Sequence, residues 1–284
     1  MRLLRYGPKG REKPGLLDKQ GRIRDLSKTI DDITPDTLAP ARLRALARLD
    51  PDRLPRVRGK PRLGPPVAQV GKIVAVGINY AAHGAETRID VPAEPILFTK
   101  AITALSGPND PVVLPKGSRK GDWEVELAVV IGRKAQYVAK AEALKYVAGY
   151  SIMNDVSERE FQLERCGQWV KGKSFDTSAP LGPWLVTPDE IGDPQKLRLW
   201  LEVSGVRRQD GNTATMIFGV ADIIANITRY MTLLPGDVIA TGTPPGVGLG
   251  MKPPMFLKPG DVMRLGVDGL GEQRQKVLAW KGGK

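Results

Sequence analysis

The sequence is poor in the side chains that thiolate and imidazole metal sites use. Among its 284 residues it has one cysteine, Cys166, and one histidine, His83. A lone cysteine cannot form an internal disulfide or a zinc site built on several thiolates, and a lone imidazole excludes sites that need two or three histidines. Any metal must therefore be bound mainly by oxygen, and the scarcity of cysteine fits a reducing cytoplasm.

The sequence also lacks long apolar runs and aromatic surfaces. No stretch approaches the ~18 uninterrupted apolar residues of a membrane span, and the first residues carry no apolar core of signal-peptide length. Aromatic residues make up 6% of the chain, and no basic stretch alternates with them as a stacking surface for bases requires. We therefore expect a cytoplasmic protein that acts on a small molecule and binds neither membrane nor nucleic acid.

The net charge of +12 leaves one alternative open. With 43 Lys+Arg against 31 Asp+Glu, the basic excess could serve a non-catalytic protein that binds anions or nucleic acid. Retention on DNA that weakens with salt, without metal-dependent turnover, would favour that alternative.

Frequent glycine and proline divide the chain into short apolar runs, a pattern typical of a mainly β, α+β fold. Residues 51–70 contain five prolines and several basic side chains, a composition typical of a linker. We therefore divide the chain into a small N-terminal α+β domain with its linker, residues 1–70, and a β-rich C-terminal domain, residues 71–284. Helical spacing of apolar residues is found over residues 40–49, 140–146 and 220–231.

The strand predicted around residues 123–130 places two carboxylates on one face. Side chains alternate along a strand, so Glu124 and Glu126 point to the side opposite Trp123. Two buried like charges at this spacing repel each other unless a cation, a proton or a basic partner compensates them. An exposed strand edge would tolerate the pair without any site, so the spacing alone leaves both interpretations open.

A third carboxylate favours a site. The apolar run 147–154 predicts a strand that is followed by Asp155, from which a side chain can reach a site beside the strand end. Three carboxylates without a second histidine suit a hard cation, Mg²⁺ or Mn²⁺ and alternatively Ca²⁺, whose shell is completed by water or substrate oxygens.

The single histidine follows the first buried strand, in a glycine-flanked segment. Asn79 is a suitable N-cap for a short helix, on which His83 and Glu86, three residues apart, share one face. A carboxylate that accepts from one imidazole nitrogen leaves the other free to accept a proton from water, which is the arrangement of a general base. A lone histidine is also often structural, and the sequence leaves this alternative open.

Three further features carry weaker signals. Lys173 lies in a Lys-Gly-Lys segment and would ordinarily be a solvated surface lysine. Cys166 has no evident histidine partner to activate it, so we do not expect it to act as a nucleophile. The glycine-rich segment 236–248 lacks the Lys-Ser/Thr of a phosphate loop, and its prolines remove backbone donors, so we expect a rigid turn beside a pocket.

Together these segments resemble the fumarylacetoacetate hydrolase family over about residues 72–275. The motifs are Gly-Ile-Asn-Tyr-Ala-Ala-His-Gly-Ala-Glu from 77, Asp-Trp-Glu-Val-Glu from 122, Asn-Asp-Val-Ser-Glu-Arg from 154, Gly-Lys-Ser-Phe-Asp-Thr from 172 and Pro-Gly-Asp-Val-Ile-Ala-Thr-Gly-Thr-Pro-Pro-Gly from 235. The resemblance implies a catalytic domain built as a mixed β-sandwich roll, a small N-terminal domain of variable sequence, and a homodimer.

The resemblance also implies a role for each candidate residue. It makes the carboxylates at 124, 126 and 155 the metal ligands, and it makes His83 with Glu86 a dyad that activates water. Lys173 becomes the cation that stabilises developing negative charge. Three further positions match residues that hold the substrate's carboxylate or oxo groups: Arg159, Gln162 and Thr243.

Members of the family that this chain resembles hydrolyse acylpyruvates or 2,4-diketo-3-deoxy sugar acids, decarboxylate oxaloacetate, or isomerise or hydrate unsaturated oxo acids. Ureidoglycolate lyase is a further label among look-alikes. The dyad favours metal-dependent hydrolysis of a 2,4-diketo acid, in which activated water attacks the C4 carbonyl and pyruvate is released. Decarboxylation and isomerisation have less need of an activated water.

Two expectations concern the pocket wall and its cover. Where family members commonly have Asn-Gly before the glutamine of a later strand, this chain has Ser204-Gly before Gln209, so we expect a differently shaped wall. Arg207 and Arg208, expected near that wall, slightly favour a hydroxylated acidic substrate such as a diketo-deoxy sugar acid. Glycines at 77 and 84 offer hinge-like freedom, so we expect residues 79–90 to form a mobile lid.

Overall fold

The computed structural model of the chain describes residues 1–87 and 90–282. Strands dominate it, and they are short and separated by turns, as the glycine and proline content predicts. The strands are β1 (Arg2–Tyr6), β2 (Lys13–Leu17), β3 (Ile23–Asp25), β4 (Leu63–Gly64), β5 (Ile73–Gly77), β6 (Ile96–Lys100), β7 (Leu105–Ser106), β8 (Val112–Leu114), β9 (Gly121–Asp122), β10 (Val125–Ile131), β11 (Val147–Asn154), β12 (Ser157–Glu158), β13 (Ala179–Val186), β14 (Arg198–Val203), β15 (Val206–Asn212), β16 (Val238–Ala240), β17 (Val262–Val267) and β18 (Gly271–Ala279).

Helices are fewer than strands in the described part of the chain. The patterns over residues 40–49 and 220–231 are confirmed as helices, whereas Lys140–Tyr146 is a 3₁₀ helix, the tighter form that short connectors often adopt. No helix within the described ranges has the length and apolarity that crossing a bilayer requires. The α-helices are α1 (Pro40–Ala47), α2 (Ala81–Thr87), α3 (Arg159–Leu163), α4 (Val170–Lys173) and α5 (Val220–Tyr230).

One large mixed sheet organises the molecule. Its strand order is β3-β2-β1-β13-β11-β10-β16-β5-β6, with β4 added to β1 and β7 added to β13. The central strand β10 is antiparallel to both β11 and β16, and β16 pairs in parallel with β5. A second sheet has the order β15-β14-β17-β18-β8. The mainly β fold of the predicted family type is confirmed.

Strand β10 lies between two hydrophobic cores, which explains its unbroken burial. Leu127 and Val129 face a core that also contains α5 and the second sheet, whereas Ala128 and Val130 face a core shared with the N-terminal strands. Glu124 and Glu126 lie on the same face of the strand as Ala128 and Val130, and both are buried. The alternative of an exposed strand edge is therefore wrong for this pair.

The N-terminal strands continue the large sheet. Strand β1 pairs antiparallel with β13, where Arg2 lies opposite Val186, and Leu3 and Leu4 are fully buried. Residues on both sides of the proline-rich segment 51–70 thus share one sheet. The division into domains at residue 70 stays a prediction.

Candidate active site

The strand directions bring several strand ends to one place. Strands β5, β11 and β16 run in one direction and β10 runs in the opposite direction, so the carboxyl ends of the first three lie beside the amino end of β10. A cavity opens there, and its lining includes Gly77, Glu124, Glu126 and Thr243. The residues that the sequence singles out are scattered over more than 160 positions, and this arrangement brings them to one site.

The three predicted carboxylates form one cluster. Glu124, Glu126 and Asp155 each offer an oxygen, and these oxygens lie within 4.8 Å of one another. The β10–β11 register explains the meeting, because Val125 pairs with Asn154 and the amide of Asp155 donates to the Glu124 carbonyl at 2.9 Å. All three residues are buried.

Three buried cations compensate most of this negative charge. The ammonium of Lys173 lies 2.7 Å from Glu124 and 2.7 Å from Asp155, so the surface-lysine alternative is wrong. Arg159 reaches the other Glu124 oxygen at 2.7 Å, and Lys100 reaches the other Asp155 oxygen at 2.6 Å. Asp155 and Glu124 outweigh the effect of burial and raise the pKa of Lys173, which therefore remains charged.

The sequence reasoning missed Lys100. Its signal was a lysine at the end of the segment Ile96–Lys100, which begins with three apolar residues. In the structure this lysine is buried. The Lys100 ammonium also donates to the Val156 carbonyl at 3.2 Å. Burial lowers its pKa and Lys173 adds to this effect, whereas Asp155 opposes it. Lys100 therefore holds the Asp155 carboxylate from the side opposite Lys173.

Glu126 is the carboxylate without a cationic neighbour. It accepts a hydrogen bond from the Gly242 amide at 2.8 Å, but within the described ranges it makes no ion pair. Burial, then Asp155 and Glu124, raise the pKa of Glu126 well above its ordinary value. Burial also opposes ionisation of Glu124, but there Lys173 and Arg159 prevail and lower the pKa to about 2.

This donor set fits a hard divalent cation. All its ligand atoms are carboxylate oxygens, the ligands that Mg²⁺, Mn²⁺ and Ca²⁺ prefer. A cation beside Glu126 would also supply the charge that this buried carboxylate lacks. The cluster could therefore hold a metal ion.

His83 and Glu86 meet as their spacing predicts. On α2 the His83 Nδ1 lies 2.8 Å from a Glu86 oxygen, and His83 lines the cavity. An ionised carboxylate can only accept, so Nδ1 donates to it, and in the neutral imidazole Nε2 is then the acceptor. The second Glu86 oxygen accepts from the Gly246 amide at 2.8 Å, which connects α2 to the loop after β16.

The expected capping role of Asn79 is wrong. Its side-chain oxygen accepts from the Phe218 amide, and its side-chain amide donates to the carbonyls of Phe218 and Thr241. Asn79 therefore connects the start of this segment to two loops instead of capping α2. The two partners lie 139 and 162 positions away in the sequence, so no local pattern could reveal them.

The three predicted substrate-binding residues also line the cavity. Arg159 donates to Gln162 at 3.0 Å, one turn further along α3. Thr243 donates to the Val125 carbonyl at 2.9 Å and accepts from Gln209 at 2.7 Å. Gln209 thereby fastens the loop after β16 onto β10, although the structure does not test whether the wall differs from that of other family members.

A second residue that the sequence reasoning did not single out organises this site. The buried Asp122 accepts from Arg159 at 2.8 Å and from the amides of Gly248 and Leu249 at 2.7 and 3.0 Å. It therefore connects the arginine of the cavity to the loop that also bonds Glu86. Its only signal was its position directly before the Trp-Glu-Val-Glu motif.

The expectation is wrong for Arg207, whereas the backbone of Arg208 lies against Gly246 in the loop that binds Glu86. Neither residue is among the described residues that line the cavity. Arg207 instead pairs with Glu202 at 2.9 Å and stacks on Trp200, since both lie on the adjacent strand of the β14–β15 hairpin. The argument for a hydroxylated acidic substrate therefore loses its basis.

The expected lid, residues 79–90, includes positions 88 and 89, which lie outside the described residues. The part up to Thr87 is held by the hydrogen bonds of Asn79 and Glu86.

Cys166 is exposed, and a nucleophilic role remains unexpected.

Apolar side chains form the remaining wall of the cavity. Phe98 from β6 and Trp169, directly before α4, meet edge to face with their ring centres 5.4 Å apart. Leu163 at the end of α3 extends this wall. The cavity thus has a charged side around the carboxylates and an apolar side around these three residues.

The sequence and the fold match known proteins along most of the chain. Residues 72–278 match the model of the fumarylacetoacetate (FAA) hydrolase C-terminal family. A protein of Burkholderia orbicola, named a putative hydrolase, is 59% identical over 278 residues, which are 98% of this chain and 99% of the relative. The chain therefore belongs to the fumarylacetoacetate hydrolase family.

Solved structures agree with this assignment. Fumarylacetoacetate hydrolase from Exiguobacterium antarcticum matches with a TM-score of 0.88 and 36% identity, over 99% of this chain and 100% of that one. Maleylpyruvate hydrolase from Sphingobium sp. SYK-6, solved with manganese(II) and pyruvate, matches with a TM-score of 0.83 and 31% identity over the same shares. A 2-hydroxyhepta-2,4-diene-1,7-dioate isomerase from Mycobacterium marinum matches with a TM-score of 0.75 and 33% identity, over 99% of this chain and 100% of that one. Hydrolases and isomerases thus share this fold.

Proposed function

We propose that the protein is a metal-dependent hydrolase that cleaves the C3–C4 bond of a 2,4-diketo acid, an acylpyruvate or a 2,4-diketo-3-deoxy sugar acid, and releases pyruvate. The observation that carries the proposal is the His83–Glu86 pair: Glu86 binds one imidazole nitrogen, and His83 lines the cavity that holds the carboxylate cluster. A general base is needed where water is a reactant, which favours hydrolysis over decarboxylation and isomerisation.

The residues of the chain account for each proton and charge. His83 takes a proton from water, whose oxygen adds to the C4 carbonyl. The C3–C4 bond then breaks, its electron pair stays on C3, and the acyl part leaves as a carboxylic acid. The proton that His83 took from water is returned to C3 and completes pyruvate. Lys173, which remains charged, stabilises the negative charge that develops.

Substrate binding falls to the polar residues of the same wall. Arg159 and Gln162 are held together on α3, and Thr243 is fixed by Gln209, so all three present fixed hydrogen-bonding groups to the cavity. These are the groups that would orient the carboxylate and oxo oxygens of the substrate. Fixed orientation of this kind lowers the entropic part of the barrier.

Glu124, Glu126 and Asp155 would hold the metal, with Mg²⁺ or Mn²⁺ as the expected ion and Ca²⁺ as an alternative. A bound divalent ion supplies Lewis-acid polarisation of substrate oxygens. The manganese in the Sphingobium maleylpyruvate hydrolase supports this assignment by similarity.

Other activities of the family remain alternatives. Oxaloacetate decarboxylation, isomerisation or hydration of oxo acids and the ureidoglycolate lyase reaction could use the same carboxylates, and the Mycobacterium marinum isomerase supports the second of these by similarity. Outside enzymology, the net charge of +12 still suits a protein that binds anions or nucleic acid.

A substrate panel tests the proposal. Purified protein with Mg²⁺ or Mn²⁺ is incubated with several 2,4-diketo acids, oxaloacetate and ureidoglycolate, and product release is followed. We expect pyruvate and the matching carboxylic acid in equal amounts from at least one diketo acid. Turnover of oxaloacetate or ureidoglycolate alone would instead support an alternative, and salt-dependent retention on DNA without any turnover would support a binding protein.

A further inference from the structure

We propose that the apolar side of the cavity selects the acyl part of the substrate: an alkyl or aryl group that carries no second carboxylate. This inference rests on the proposed function, because it assigns the polar side of the cavity to the 2-oxo acid part. The inference narrows the substrate to 2,4-diketo acids that carry one carboxylate and end in an alkyl or aryl group.

The apolar wall is a built surface with fixed geometry. The rings of Phe98 and Trp169 pack at 66° to each other, an arrangement that stabilises aromatic pairs. The Trp169 ring also lies against the backbone at Gly77, where a Cβ atom would come within 2.5 Å of it. Any larger residue at position 77 would therefore displace the ring from the cavity.

The wall begins directly beside the charged side. The Lys173 ammonium lies 5.1 Å from the centre of the Phe98 ring, so the aromatic pair starts where the carboxylate cluster ends. Leu163 is 41% exposed and follows Gln162 in sequence, which continues the wall outward from a predicted substrate-binding residue. The acyl group of a bound 2-oxo acid would therefore lie along this apolar wall.

The described residues that line the cavity offer no unpaired cation to a second carboxylate. Among the described residues that line the cavity, the lysine and arginine side chains are Lys173 and Arg159. Lys173 is paired with Glu124 and Asp155, and Arg159 with Asp122 and Glu124. A carboxylate on the acyl end would lose water beside apolar side chains without gaining an ion pair, which opposes binding.

Binding of oxamates tests the wall without requiring turnover. We would measure the affinity of N-methyl, N-ethyl, N-propyl and N-phenyl oxamate by calorimetry in the presence of Mn²⁺, together with N-(2-carboxyethyl) oxamate. Each buried methylene should tighten binding by roughly fourfold, and the carboxylate-terminated compound should bind more weakly than N-propyl oxamate. Equal or tighter binding of the carboxylate-terminated compound would overturn the inference.

Two variants test whether Trp169 contacts the N-substituent of the bound oxamate. Trp169→Ala should remove most of the gain from N-methyl to N-propyl and N-phenyl oxamate while leaving N-methyl oxamate nearly unchanged. Trp280→Ala is the matched control, because Trp280 is half-exposed and does not line the cavity. If Trp169→Ala keeps the full gain, the assigned wall is wrong.

Leu163→Lys gives a second, independent result. Leu163 is exposed, so the change does not threaten folding, and it places a cation on the acyl side. We expect this variant to bind N-(2-carboxyethyl) oxamate more tightly than the wild type does, and no gain would contradict the position given to the acyl group. Failure to hydrolyse any diketo acid would contradict the proposed function while leaving these binding results interpretable.

Discussion

At the scale of residues, the site is a group of buried charges that nearly compensate one another. Asp155 is held between Lys100 and Lys173, and Glu124 between Lys173 and Arg159. Such arrangements are costly to bury, and they hold each carboxylate in a single orientation. Glu126 differs because, among the described residues, it makes no ion pair and accepts a hydrogen bond from a backbone amide. The charge imbalance is thus concentrated at one side chain.

Glu126→Gln tests this imbalance through stability. The pKa of Glu126 is raised in the folded state, so the folded protein binds more protons than the unfolded chain between the ordinary pKa and the raised one. Stability of the metal-free protein therefore falls as the pH rises through that window. Glutamine is neutral, so in EDTA the variant should have a Tm at pH 7.5 equal to or above that of the wild type.

The same variant should lose its response to metal. For the wild type, an ion at about 100 times its Kd stabilises the folded state by about 2.7 kcal/mol. We expect Mg²⁺ or Mn²⁺ to raise the Tm of the wild type and to have little effect on Glu126→Gln, with calorimetry showing sharply weaker metal affinity. Unchanged metal affinity in the variant would show that the ligand assignment is wrong.

At the scale of elements, the pattern of β10 could be predicted and its neighbours could not. Alternation along residues 123–130 correctly placed Glu124 and Glu126 on one face, because a strand has a fixed two-residue period. The spacing of His83 and Glu86 was equally informative, since three residues fix a common helix face.

Contacts between distant elements left no such local signal. Lys100 reaches Asp155 across 55 positions, and Asp122 reaches Gly248 across 126. These distances depend on sheet order and loop paths, which one sequence does not specify. The error on Arg207 has the same origin, because its partners lie on the neighbouring strand of its own hairpin and not at the cavity.

Asp122→Asn tests the connection between the loop after β16 and α3. Asparagine keeps an acceptor but loses the charge that pairs with Arg159 and receives two loop amides. We expect a loss of about 2 kcal/mol in unfolding free energy by urea denaturation, the range for hydrogen bonds to charged groups. Asp210→Asn, which breaks a half-exposed pair with Arg198, should cost about 0.5 kcal/mol. Equal losses would contradict the role given to Asp122.

At the scale of the whole molecule, the large sheet joins the N-terminal strands to the strands that carry the site. Strand β1 adds to β13, which pairs with β11, and β11 pairs with β10. The site therefore belongs to a sheet that extends over both halves of the chain. The sequence predicted the mainly β class from its short apolar runs, whereas this continuity depends on pairing between residues 184 positions apart.

The homodimer implied by family resemblance stays a prediction. Large apolar side chains are exposed on α5 and beside it, among them Tyr230 and Tyr137, whose amide donates to the Thr228 carbonyl. Light scattering coupled to gel filtration should give twice the chain mass of 30.9 kDa. A single monomeric peak at all concentrations would exclude the dimer.

The central claim concerns the reaction: His83, oriented by Glu86, activates the water that cleaves a 2,4-diketo acid. General-base catalysis contributes roughly 10²–10⁴-fold to a rate. The most direct measurement is the hydrolytic rate of His83→Ala on the best diketo acid of the panel, together with its metal affinity and any activity on oxaloacetate. We predict a fall in hydrolysis of about 10²–10⁴-fold with metal affinity nearly unchanged, and a smaller fall for decarboxylation, which needs no activated water. Hydrolysis by His83→Ala at nearly the wild-type rate would contradict the account, because the histidine would then be structural.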